Sequence, residues 1–93
     1  MTEVSMESRV RVSDDVLFQE LQGESVLLNL KTGTYLGLDR VGTRIWSLLK
    51  EHGTLWEVLE AMLQQYDVTA EQCSRDLLDL MAKMEGQGLV SIQ

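Results

Sequence analysis

The chain has 93 residues, 44% hydrophobic and 25% charged, with 15 acidic against 8 basic side chains and a net charge of −7. That is enough for one small core but too little for a core plus a roomy active-site cavity, and the apolar content argues against global disorder. The charge excludes ready binding to phosphate backbones, and the single cysteine, Cys73, excludes an internal disulfide or a thiolate metal cluster.

The acidity is uneven: residues 54–93 hold seven acids against Arg75 and Lys83, a net of −5, which leaves −2 for residues 1–53. The opening "MTEVSMESRVRV" has acids where a signal peptide needs positive charge, and nowhere do about 18 apolar residues run together. The expectation is a cytoplasmic protein with no membrane partner.

Residues 1–12 read as a flexible N-terminal arm, although "RVRV" alternates and could add a short edge strand, and residues 13–93 as a single domain. Three strands then follow, Val16–Gln22, Ser25–Leu30 and Thr34–Leu38, joined by turns at Gly23 and at Lys31–Gly33. Val26, Leu28 and Leu30 share one strand face, as do Thr34, Leu36 and Leu38, so one sheet face is buried and the other partly wet.

At Asp39 the apolar period turns helical, with Val41, Ile45, Trp46, Leu48 and Leu49 forming a stripe and Asp39 suited to be the N-cap; His52-Gly53 ends this helix. Thr54 and Glu57 predict a capping box for a second helix that runs to Tyr66-Asp67. Thr69 and Gln72 predict another for a third helix, which carries Cys73, Leu77, Leu80, Met81 and Met84 and stops at Gly86 or Gly88. "LVSIQ" supplies a closing strand. The fold class is α+β and winged helix-turn-helix-like: a three-stranded antiparallel meander, three helices and a short C-terminal strand.

Residues with chemical potential find no companions. His52 sits at a helix end, where a cation favours the helix C-terminus, and the sequence gives it neither base nor nucleophile nor further ligands. Cys73 lies on an apolar stripe and reads as a small core residue. Gly33, Gly37 and Gly42 lack the spacing and the Lys-Ser/Thr of a phosphate loop. No catalytic residue, metal site or cofactor is implied.

Gly37 is the odd one, since a glycine within a strand weakens it unless another backbone comes close. "TYLGL" ends the meander with neither charge nor proline, the usual devices that blunt a free edge. Either the chain's own Arg9–Val12 or Leu89–Ile92 covers this edge, or a peptide adds to it as a further strand. Leu36→Pro would remove one strand N–H, but the side to which that N–H points is not legible in sequence.

The stretch "NLKTGTYLGLDRVGTRIWSLL" resembles the PqqD-like family, and the resemblance extends through "GTLWEVLEAMLQQYDV" and "DLLDLMAKMEGQGLV", from about Val16 to Ile92. The shared pattern includes Asn29, the strand end at Leu38, Thr54, Tyr66-Asp67-Val68, Asp76 and Gly88–Val90. The resemblance implies a non-catalytic recognition module that binds the leader of a ribosomally made precursor peptide. It also implies a partner that modifies the precursor, such as a radical S-adenosylmethionine enzyme or a leader peptidase. The implied contact strand is Thr34, Tyr35, Leu36, Gly37 and Leu38, and the implied helix side is Asp76, Leu77, Leu80 and Met81 with Asp79 and Lys83.

The alternative is a winged-helix nucleic-acid-binding protein, resting on element order alone. Its recognition helix would offer Arg75 and Lys83 amid Glu71, Asp76, Asp79 and Glu85. An open edge would also let two copies pair as a homodimer.

Overall fold

A computed structural model describes residues 5–93 of the chain. Its elements are β1 (Val10–Val12), β2 (Val16–Leu21), β3 (Glu24–Asn29), β4 (Tyr35–Leu38), α1 (Arg40–Glu51), α2 (Leu55–Gln65), α3 (Ala70–Gly86) and β5 (Val90–Ile92). They form two antiparallel sheets, β2-β3-β4 and β1-β5. The meander, the three helices and the closing strand thus stand as the periodicities predict.

Local chemistry accounts for the boundaries. Between β2 and β3 the chain reverses in two residues, Gln22 and Gly23, with φ of 56° and 86°, the paired positive angles of a type I′ hairpin. Asp39 Oδ1 accepts from the Gly42 N–H at 2.8 Å, so α1 starts one residue after β4 ends. Thr69 Oγ1 accepts from the Gln72 N–H at 3.1 Å and caps α3 as expected. At the other end of α3, Gly88 (φ 71°) follows the cap residue Gln87; its N–H donates to Glu85 and that of Leu89 to Met84, a Schellman closure.

The second helix is capped differently from its sequence signature. The Thr54 hydroxyl makes no bond to the helix backbone and donates instead to Glu57 Oε1 at 2.8 Å. The free N–H groups of Leu55 and Trp56 donate to the carbonyls of Ser8 and Met6, at 3.2 and 3.0 Å. A backbone segment remote in sequence thereby does the work of a cap.

The segment read as an arm enters the fold at this point. Ser8 and Val10 are buried, β1 pairs with β5 in the register Val10↔Ile92, and Arg9 and Gln93 exchange backbone hydrogen bonds. Residues 1–4 of that segment lie outside the described residues.

The core forms where α1, α2 and α3 pack on one face of the meander, around Leu27, Trp46, Leu48, Leu55, Val58, Leu77, Met81, Met84 and Leu89, none more than 1% exposed. The inward residues of β3 are Ser25, Leu27 and Asn29, and its outward ones include Val26, which is 45% exposed. The register of Val26 and Leu28 therefore faces out, and Leu27 is the aliphatic residue of β3 that faces the core. Two buried polar side chains occupy the inner face because both find partners: Ser25 Oγ lies 2.7 Å from Thr43 Oγ1 on α1, and Asn29 bonds at both ends of its amide.

Candidate functional site

β4 is an open edge. It pairs with β3 in the register Ser25↔Leu38 to Leu28↔Tyr35 and, among the described residues, with nothing on its other side, because the two segments able to cover it, Arg9–Val12 and Leu89–Ile92, pair with each other. Neither of the chain's own candidate covers is therefore on β4.

The parity of the edge follows from one bond. Asn29 N–H donates to the Thr34 carbonyl at 2.8 Å, which makes Asn29–Thr34 a hydrogen-bonded pair. Antiparallel pairs alternate, so Leu36 and Leu38 aim their backbone groups at β3 while Tyr35 and Gly37 aim theirs outward. Two N–H and two C=O groups thus face outward along the open side.

Beside this edge runs a groove of about 460 Å³, lined by Gly37, Leu38, Asp39, Val41, Gly42, Ile45, Asp76 and Leu80. Its walls are β4 and α3, and its floor is the first turn and a half of α1. A wider hollow of about 860 Å³ opens towards the β2–β3 hairpin and shares Gly37, Leu38 and Asp39 with it. A Cβ built on Gly37 would meet nothing within 4 Å, so the fold itself does not demand glycine there.

The residues expected at the site fall into three groups. Tyr35 (72% exposed), Gly37 and Thr34 are open to solvent, Leu36 is half-buried on the core, and Leu38 is buried. Asp76 and Leu80 line the groove from α3, and Lys83, seven residues beyond Asp76, continues the same stripe. Leu77 and Met81 have no exposed surface and support the wall from beneath, and Asp79 falls on the helix side opposite the buried residues.

The floor residues Val41, Gly42 and Ile45 were not singled out as site residues by sequence reasoning. Val41 and Ile45 belong to the α1 stripe, but a stripe does not tell which of its members a sheet leaves uncovered, and Gly42 stands outside it. Asp39, expected only as a helix cap, and Asn29 are further omissions. Asn29 Oδ1 accepts from Lys31 N–H at 2.9 Å and its Nδ2 donates to the Gln87 carbonyl at 2.9 Å. Asn29 therefore ties the Thr34 end of β4 to the end of α3. A Cβ on Gly88 would stand 2.9 Å from that Nδ2, so Gly88 serves this tie as well as the helix end.

Reactive groups are not gathered at the groove. Burial, followed by the nearby Asp76 carboxylate, raises the Cys73 thiol above its usual range and so favours the unreactive form. His52, 3.3 Å through Nδ1 from Glu57, stands at the C-terminal end of α1, away from the groove at its N-terminal end. Among the described residues no three His, Cys, Asp or Glu side chains converge as metal ligands, and no helix is long and apolar enough to cross a membrane.

An open strand edge set over a helix-walled groove, in a winged-helix α+β frame, defines a small docking domain. The chain belongs to the PqqD family: the family described as Coenzyme PQQ synthesis protein D (PqqD) matches residues 24–90. It is similar to the solved structure titled "TbiB1 in Complex with the TbiA(beta) Leader Peptide", with 41% identity, a TM-score of 0.81, and coverage of 87% of this chain and 94% of that one. The fold is also that of "Lasso peptide synthetase B1 complexed with the leader peptide", at 19% identity and a TM-score of 0.78, covering 89% of this chain and 98% of that one. No curated protein sequence matches the chain. None of these likenesses supports the nucleic-acid reading.

Proposed function

We propose that this chain is a non-catalytic recognition module that binds the leader of a ribosomally made precursor peptide as a strand on β4 and presents the precursor to its modifying enzyme. The observation that carries this reading is the open edge of β4, with the backbone groups of Tyr35 and Gly37 turned outward over a groove. Family membership and the leader-bound relative at 41% identity support it.

The mechanism needs no reactive group. An extended leader exchanges up to four backbone hydrogen bonds with Tyr35 and Gly37, each worth about 0.5–1.5 kcal/mol net. Alternate leader side chains enter the groove against Leu38, Val41, Ile45 and Leu80, where apolar burial adds about 25 cal/mol per Å². Thr34 and Tyr35 meet the other end of the strand. The core of the precursor, unbound, stays free for an enzyme such as a radical S-adenosylmethionine enzyme or a leader peptidase.

Calorimetric titration with the leader of the precursor encoded beside this chain's gene tests the reading. Saturable 1:1 binding is expected. Absence of saturation at any accessible concentration rules it out.

A further inference from the structure

The face of α3 beside β4 carries an acid where it lines the groove and a base further along, at Asp76 and Lys83. At the groove's Leu38 end stand Asp39, whose carboxylate caps α1, and Asp76 on α3. Beyond the groove's lining, one turn of α3 past Leu80, helical spacing sets Lys83 on the same face, towards Thr34. The alignment is fixed by the Asn29–Gln87 bond, which places the C-terminal end of α3 beside the Asn29–Thr34 pair, so α3 runs antiparallel to β4.

Asp76 and Lys83 are also the members of this stripe left unneutralised. Arg75 is engaged with Glu71 at 3.2 Å and Lys31 with Asp15 at 3.3 Å, whereas among the described residues neither Asp76 nor Lys83 has an oppositely charged partner within 4 Å. Asp76 accepts only from the neutral Gln72 amide at 2.9 Å. Seven helical residues separate the two charges by about 10 Å along the axis.

Resting on the peptide-binding reading above, we propose that the groove selects leaders with a Lys or Arg at the Leu38 end and an Asp or Glu at the Thr34 end. A strand rises about 3.3 Å per residue and turns alternate side chains to one face, so the two leader charges stand two or four residues apart. Antiparallel pairing is the more stable per residue, which places the basic leader residue before the acidic one in sequence. The acidity of the chain as a whole does not set its preference; the sidedness of this groove does.

The test is an array of the same leader peptide with Lys and Glu placed pairwise at every i,i+2 and i,i+4 position, in both orders. Wild type is expected to bind the best Lys-first member about fivefold more tightly than its Glu-first counterpart, the scale of one or two exposed ion pairs, and the gap narrows with added salt. The double variant Asp76→Lys/Lys83→Glu, whose changes are on exposed positions, is expected to prefer Glu-first members. Asp79→Lys, a charge reversal off the groove, leaves the order unchanged.

Array binding without an order preference, or the same preference in wild type and the double variant, overturns the charge assignment alone. Failure of wild type to bind any member overturns the peptide-binding reading together with it.

Discussion

The Ser25–Thr43 pair shows how a single contact steers a strand. The two hydroxyls lie 2.7 Å apart in the core, Ser25 5% exposed on β3 and Thr43 5% exposed on α1, and they hold the polar register of β3 inward. Removing one partner strands the other, at a cost of about 1–3 kcal/mol, whereas replacing both with apolar groups of similar shape costs less. Ser25→Ala is therefore expected to lower the unfolding free energy by about 1–3 kcal/mol in a denaturant titration, and Ser25→Ala/Thr43→Val to lose less than the sum of its single variants.

Among the elements, β4 carries the sharpest contrast, because neighbouring residues face different partners. Leu36 directs its N–H at β3 and packs on the core, while Gly37 directs its N–H at the open edge. Proline at position 36 breaks a ladder bond, and Leu36→Pro is expected to unfold the meander, seen as lost strand signal in circular dichroism. Gly37→Pro costs the sheet no bond and tolerates the edge position; its thermal midpoint is expected near that of wild type, while leader affinity in the calorimetric titration falls about tenfold or more. Equal effects of the two variants would contradict the parity derived from Asn29 and Thr34.

In the whole molecule, the N-terminal segment matters through what it closes. It supplies the carbonyls that satisfy the start of α2, buries Val10, and pairs through β1 with the strand that would otherwise be free to cover β4. Deleting residues 1–12 is therefore expected to destabilise the protein by about 3 kcal/mol or more, from lost caps and lost apolar burial, measured by the shift in denaturation midpoint. The same deletion frees β5, so the leader affinity of the truncated chain measures any competition for the β4 edge.

The order and type of the elements are legible in the sequence, since they rest on local causes: the change from period two to period 3.6 at Asp39, the Asp39 and Thr69 caps, and the turn glycines. Of the groove's α3 wall, Asp76 and Leu80 are legible as neighbours on one helix face, whereas the burial of Leu77 and Met81 beneath them is decided by packing. Three further decisions need the tertiary structure. Thr54 is matched to its helix by spacing, but Met6 and Ser8 supply the bonds because a backbone distant in sequence lies against the start of α2 while the Thr54 hydroxyl is turned to Glu57. Val26 and Leu28 of β3 point outward because Ser25 and Asn29, beside Leu27 on the inner face, find buried partners across the fold, which no alternation pattern reports. And β4 stays open because β5 pairs with β1: an edge strand's own sequence shows that it can be paired, while only the arrangement of the other strands decides whether it already is.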